Sequence, residues 1–306
     1  MQPTQQPNPP ASAPLVKAAK AGKGLFLNQG PFAPNSPKAN VRLRCGTLMP
    51  WLGLGVWRTP ALETAQVVRE ASSVGYRAVD TAAFYGNEAG VGVAARHNPS
   101  LFITTKLWNN CQGYDQALRA FEASEKLIGQ GRIDLYLIHW PCPGQDRYVE
   151  TWRALIQLRR EGRVRAIGVS NFLAPHLARL EAETGILPAV NQIEIHPRFQ
   201  QRALVDYCLE NGILPEAWRP LGGGEALGLP VVVDIAKATG RTPAQVVLRW
   251  LLQRGCAVIP KSVHKARMVE NADIFNFTLS AAQMAAMAGL DSPAGRLGPD
   301  PATFGG

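Results

Sequence analysis

The sequence has no C-x-x-C pair. Its five cysteines, Cys45, Cys111, Cys142, Cys208 and Cys256, lie singly along 306 residues, so neither a metal site nor a disulfide framework is expected. No apolar run is long enough to span a bilayer. Residues 1–30 lack an uninterrupted apolar segment ahead of a cleavage pattern, and the expected location is therefore cytoplasmic, with no membrane partner. Acids are missing from the first 50 residues, where Lys17, Lys20, Lys23, Lys38, Arg42 and Arg44 stand without a counter-charge. That segment supplies six units of the +9 net charge, and the remaining 26 bases face 23 acids. A body so near neutrality is not expected to bind nucleic acid. A complete glycine-rich nucleotide turn is also absent. Gly53-x-Gly55 opens like one, but Arg58 stands where the third glycine belongs, which excludes a Rossmann fingerprint.

What is present begins irregular and becomes periodic. Residues 1–40 are rich in Gln, Pro, Ala and Asn, with Pro3, Pro7, Pro9, Pro10, Pro14, Pro31, Pro34 and Pro37 breaking any pattern, and this composition predicts a disordered leader. From Val41 a short alternating stretch turns at Cys45-Gly46 and predicts a hairpin, followed by a first strand near Gly53–Trp57. Apolar runs at 77–80, 101–106, 134–139, 164–170, 189–193, 213–217 and 257–259 then alternate with helical stretches such as 62–74, 114–128, 148–161 and 243–253. About eight such repeats are the pattern of parallel crossovers. The expected fold class is α/β: a (β/α)8 TIM barrel over 41–306, with a short N-terminal hairpin and the leader 1–40 ahead of it. An open doubly wound sheet is the alternative, but it would seat its nucleotide on the glycine-rich turn that is missing here.

Polar residues cluster where these strands end. Arg77-Ala78-Val79 runs into Asp80, Leu101–Thr105 into Lys106, Leu135–Ile138 into His139, Arg165–Val169 into Ser170 and Asn171, and Ala189-Val190 into Asn191 and Gln192. Barrel enzymes assemble their chemistry from the ends of several strands. Asp80, Tyr85, Lys106 and His139 form a coherent set. A phenol, with an ordinary pKa near ~10, needs a neighbouring cation to serve as a proton donor. Lys106 supplies the charge, a carboxylate at Asp80 keeps the ammonium protonated, and a neutral imidazole orients a carbonyl oxygen. Each of the four also has an ordinary structural role open to it, and their joint placement at strand ends is what favours chemistry. A serine hydrolase built on Ser170 is disfavoured, because Gly168-Val169-Ser170-Asn171-Phe172 lacks the second glycine of a nucleophile elbow.

The stretches GLGVW at 53–57, AVDTAAFYGNE at 78–88, TTKLWN at 104–109, LYLIHWP at 135–141, GVSNF at 168–172, NQIEIHP at 191–197 and IPKSVHKARMVEN at 259–271 resemble the aldo-keto reductase family. The resemblance covers the chain from about residue 41 onward. It implies a barrel enzyme that uses NADPH/NADP+ and reduces aldehydes or ketones to alcohols, with Asp80, Tyr85, Lys106 and His139 as catalytic residues and Tyr85 as general acid. It also implies carboxamide contacts from Ser170, Asn171 and Gln192, and a 2′-phosphate site from Lys261, Ser262 and Arg267. Glu270 and Asn271 match the adenine contacts. Trp218, Arg219 and Leu221 stand where many members carry an aromatic-Ser-Pro-Leu segment. Trp218 keeps the stacking aromatic, while Arg219 departs from the pattern and is expected to meet the cofactor pyrophosphate or an acidic substrate group. Trp57, Trp108 and Trp140 are the expected substrate walls, next to loops that include the tail from Arg296. The ending RLGPDPATF resembles bacterial members that act on keto-sugar acids such as 2,5-diketogluconate and on small aldehydes including methylglyoxal. The resemblance favours a monomer whose partner is a small-molecule carbonyl. The alternative is an NADPH-binding regulatory protein on the same fold with little turnover.

Overall fold

A computed structural model of the chain describes residues 34–129 and 131–305, so the leader expected over 1–40 lies outside the described residues as far as position 33. From Pro34 the chain is tied to the barrel at points: Arg249 donates from Nη1 to the Pro34 carbonyl at 2.9 Å, and Arg77 donates from Nη2 to the Pro37 carbonyl at 3.3 Å. A hairpin of β1 (Asn40–Arg42) and β2 (Leu48–Pro50) follows, pairing Val41 with Met49 in antiparallel register. Eight parallel strands come next: β3 (Leu54–Gly55), β4 (Ala78–Asp80), β5 (Phe102–Leu107), β6 (Leu135–Ile138), β7 (Ala166–Ser170), β8 (Val190–Glu194), β9 (Leu214–Trp218) and β10 (Ala257–Val258). Each pairs with its neighbours in sequence, from β3 through to β10. The expected strand over Gly53–Trp57 shortens to two residues, and the other boundaries lie within two residues of expectation.

The sheet closes on itself. Gly53 N–H donates to the Val258 carbonyl at 2.9 Å, Val258 N–H to the Trp51 carbonyl at 2.9 Å, and Gly55 N–H to the Pro260 carbonyl at 3.2 Å. A Cβ on Gly55 would stand 2.9 Å from the Ile259 carbonyl oxygen. Gly53-x-Gly55 therefore serves the barrel seam, where backbones must approach closely, rather than a phosphate. Every residue of β5 and β6 is buried, as a parallel sheet covered on both faces requires.

Helices α1 (Ala61–Ser73), α2 (Glu88–His97), α3 (Tyr114–Ile128), α4 (Tyr148–Arg160), α5 (Ala174–Thr184) and α6 (Arg202–Glu210) return the chain between successive strands. Two helices, α7 (Pro230–Thr239) and α8 (Pro243–Gln253), separate β9 from β10, and α9 (Lys265–Ala272) and α10 (Ala281–Ala288) follow the last strand. Local signals set these ends. In α3 the residues Ala117, Phe121, Ser124 and Ile128 form the buried face at helical spacing. The start of α8 is fixed by a reciprocal cap, in which Thr242 Oγ1 accepts from Gln245 N–H at 3.3 Å while Gln245 Oε1 accepts from Thr242 N–H at 2.9 Å. The tail beyond α10 runs back to the C-terminal ends of the strands, where Leu297 and Gly298 N–H groups donate to Glu194 at 2.6 and 2.9 Å.

Candidate active site

Asp80 ends β4, Lys106 lies one residue before the end of β5, His139 follows β6, Ser170 ends β7, Gln192 lies in β8 and Trp218 ends β9. All sit at the C-terminal end of the barrel. Tyr85 closes a short 3-10 turn, Ala83–Tyr85, that leaves through Gly86 at φ 67°. This left-handed position costs glycine little, and the turn brings the phenol back over its own strand.

Lys106 is fully buried and donates from Nζ to Asp80 Oδ2 at 2.7 Å, to the Thr81 carbonyl at 2.9 Å and to Tyr85 Oη at 3.4 Å. Its three protons thus each have an acceptor. Burial alone would lower the ammonium pKa, but Asp80 outweighs it with help from Tyr85 and Glu216, and the net shift is upward. Burial also pushes the Tyr85 phenol up, against the opposing pull of Lys106. The depression expected from the lysine is therefore more than cancelled by desolvation. His139 is held well below the ordinary imidazole range, by burial first and the Lys106 ammonium second, so it is neutral at pH 7. Its ring meets Trp108 edge-on with centroids 5.0 Å apart and Tyr85 at 5.8 Å.

Asp80, Tyr85 and His139 border a cavity of about 290 Å³, with Lys106 buried behind them. Its walls include the three expected tryptophans, Trp57, Trp108 and Trp140, and two aromatics the sequence reading did not single out, Phe84 and Phe304. Phe84 stacks on Trp108 at 3.8 Å, and Phe304 packs on Trp140 at 4.6 Å. Leu297, Gly298 and Pro299 of the tail complete one side. Adjacency to Tyr85 was the available signal for Phe84. Phe304, Leu297, Gly298 and Pro299 had none beyond lying in a loop named as part of the rim.

Among the expected cofactor residues, Ser170, Asn171, Gln192, Trp218, Arg219 and Lys261 border the same cavity. Ser170 donates to the Gln192 carbonyl at 2.8 Å, and Asn171 donates from Nδ2 to the His139 carbonyl and to Ser170 Oγ, both at 3.0 Å. Asn171, at φ 64°, also accepts from Trp218 Nε1 at 2.8 Å. Its donors are thus committed inside the protein. Arg219, at φ 48°, lays its guanidinium 4.8 Å from the Trp57 ring centroid, while Arg58 lies 4.4 Å from the same centroid. Leu221 does not border the cavity but packs against the core. Ser262, Arg267, Glu270 and Asn271 also lie off it, on the loop and helix α9 that continue from Lys261. Lys261 and Arg267 are exposed and form no ion pair among the described residues. A pocket with aromatic walls and amide groups that leads to uncompensated cations suits a long ligand with a flat polar ring at one end and phosphate nearer the other.

Two carboxylates were missed. Glu216 in β9 accepts from Gln192 Nε2 at 2.7 Å, and the same nitrogen donates to Asp80 Oδ1 at 2.8 Å. Glu194 Oε1 lies 3.1 Å from His196 Nε2, from which it accepts when that nitrogen carries the proton, and the same carboxylate holds the tail. The signal for Glu194 was present, since 192, 194 and 196 share one side of a strand by its period of two. For Glu216 it was a lone acid within the apolar run 213–217.

A closed parallel barrel whose strand ends bring a phenol and an imidazole to one aromatic cavity, with an ammonium buried behind the phenol, has the architecture of a barrel enzyme. Residues 49–292 match the family model of the Aldo/keto reductase family, and the chain belongs to that family. It is an oxidoreductase by that membership. Among its relatives, glyoxal reductase of Bacillus subtilis (strain 168) is 47% identical over 273 residues, which are 88% of this chain and 98% of that protein. Methylglyoxal reductase DkgA of Escherichia coli (strain K12) is 46% identical over 272 residues, 87% of this chain and 98% of that one. The crystal structure of a Gox0644 mutant in complex with NADPH shares 52% identity and a TM-score of 0.85, over 87% of this chain and 98% of that chain.

Proposed function

We propose that this chain reduces aldehydes or ketones to alcohols with NADPH, Tyr85 acting as general acid supported by Lys106, Asp80 and His139. The observation that carries this reading is the chain of contacts from Asp80 Oδ2 to Lys106 Nζ at 2.7 Å and on to Tyr85 Oη at 3.4 Å, opening on the cavity. When bound, NADPH supplies a hydride to the carbonyl carbon. Tyr85 holds the proton that the carbonyl oxygen takes up, and the Lys106 ammonium stabilises the phenolate left behind. Neutral His139 orients the same oxygen by hydrogen bonding. Asp80 keeps Lys106 charged in a buried position, where an unpaired ammonium would be costly.

In this reading Ser170 and Gln192 meet the carboxamide, with the remaining lone pair of Asn171 Oδ1 beside them, and the Trp218 ring stacks on the nicotinamide. Lys261, Ser262 and Arg267 are assigned to the adenosine 2′-phosphate, and Glu270 and Asn271 to the adenine. Arg219 offers a cation at the cavity edge to an anionic group of cofactor or substrate. The names of the relatives support small aldehydes, glyoxal or methylglyoxal as substrates, with keto-sugar acids such as 2,5-diketogluconate a further group to test. All the residues invoked come from one chain, which fits action as a monomer. The five cysteines are all free, which fits a cytoplasmic setting.

The test is loss of NADPH absorbance, with NADH in parallel, across methylglyoxal, aromatic aldehydes and keto-sugar acids. Oxidation with NADPH preferred is expected. Tryptophan quenching by NADPH with no carbonyl reduced would move the reading to a regulatory binder, and absence of quenching would remove the cofactor assignment.

A further inference from the structure

Glu216 is a buried carboxyl in the barrel interior that the reaction scheme leaves without a role. It is 2% exposed, on β9, and its Oε2 accepts from Gln192 Nε2 at 2.7 Å. Gln192 is 2% exposed, on the neighbouring β8, and the same nitrogen reaches across the barrel to Asp80 Oδ1 on β4 at 2.8 Å. Both amide protons of Gln192 are therefore spent on two carboxyl groups approached from different strands. A primary amide has two donors on its nitrogen and acceptor capacity only on its oxygen. With the nitrogen fixed at two points, the group left for the cavity wall is Oε1, and no protein donor reaches it among the described residues.

We propose that Glu216 is a positioning residue which, by holding Gln192 Nε2 together with Asp80, fixes the side-chain amide so that its oxygen faces the cavity as an acceptor for the carboxamide N–H of nicotinamide. The inference rests on the NADPH reading above. With Asp80 alone the amide keeps one anchor and rotates about it. With both, its plane is set, and the cavity selects a ring substituent that donates over one that does not. Burying a carboxyl at this place is costly, and burial with the nearby Asp80 charge pushes it up to about 8, against the opposing effects of Gln192 and Lys106. The carboxyl is therefore mainly protonated at neutral pH, where its carbonyl oxygen still accepts from Gln192, so the hold does not need a second full negative charge beside Asp80.

The experiment compares two ligands on the full chain, NADP+ and its 3-acetylpyridine analogue, in which a methyl group replaces the carboxamide nitrogen. Binding is followed by quenching of tryptophan fluorescence. The parent should bind NADP+ about tenfold more tightly than the analogue, the size expected for one hydrogen bond whose acceptor is otherwise left unpaired. Glu216→Met should shrink that ratio to within about twofold, while Glu216→Gln, which keeps an acceptor at the same reach, should retain most of it. A ratio unchanged in Glu216→Met overturns the proposal. Should that variant not fold, Gln192→Met asks the same question of the acceptor itself, and a ratio that survives there overturns it equally. If the parent binds neither ligand, the NADPH reading fails first, and that result is distinct from a parent that binds and discriminates while Glu216→Met does so too.

Discussion

At the scale of single residues, burial raises the pKa of both Tyr85 and Glu216, with different consequences. In the proposed reaction the phenol keeps its proton until charge develops on the carbonyl oxygen; an ordinary phenol already does so at neutral pH, and burial widens that margin. In that reaction the lysine acts when the proton leaves. Tyr85→Phe should bind NADPH about as tightly as the parent by fluorescence titration, yet lose more than ~100-fold in the rate of carbonyl reduction. Unchanged turnover would refute the assignment of the acid. Glu216 makes a separate prediction for stability. Its ordinary value is 4.5, and in the fold it is pushed up to about 8, so the folded chain retains a proton that the unfolded chain releases between those pH values. Its contribution to stability is whole below the lower value and is lost as pH rises toward the upper one. Thermal unfolding of Glu216→Gln should therefore fall less than the parent between about pH 5 and about pH 8. Parallel curves would contradict the raised pKa.

At the scale of elements, close backbone approach overrides intrinsic preference. Gly92 lies inside α2, where alanine would ordinarily favour the helix by about 1 kcal/mol. A Cβ there would stand 2.5 Å from the Leu127 carbonyl oxygen and 2.6 Å from that of Ile128. These are backbone atoms at the end of α3, and neither helix can yield without moving. Gly92→Ala should thus destabilise, by about 1–3 kcal/mol, because crowding exceeds the propensity gain. A higher midpoint in urea would show that the helices separate freely. The elements themselves were largely legible in the sequence. The period of 3.6 in α3 and the capping pair Thr242 and Gln245 specify their helices locally, and the apolar runs specify β5 and β6. The strand near Gly53–Trp57 was less legible, because its ends are set by partners at Val258 and Lys261, some two hundred positions away in the chain.

At the scale of the whole molecule, barrel closure depends on the seam between the first and last strands. Gly55 has no room for a side chain against the Ile259 carbonyl, at 2.9 Å from an added Cβ. Gly55→Ala should cost about 1–3 kcal/mol and lower the unfolding temperature by about 2–4 °C for each kcal/mol. A variant as stable as the parent would mean that the seam has slack. Closure also assembles the candidate site, since Asp80 and Gln192 meet only because β4 and β8 face each other across the interior. The tail adds the last wall, tied through Leu297 and Gly298 to Glu194.

The sequence by itself determined the alternation of strands and helices, the parallel barrel, and the strand ends where Asp80, Lys106, His139 and Gln192 would lie. Those properties follow from short apolar runs, from the period of 3.6 and from turn chemistry, which act over a few neighbouring residues. Only the tertiary structure decided that desolvation outweighs the lysine at Tyr85, that Asn171 spends its donors on internal partners, that Phe84 and Phe304 enter the cavity wall, and that Glu216 holds Gln192. Each of these depends on burial and on distances between residues far apart in the chain, and no local pattern encodes either.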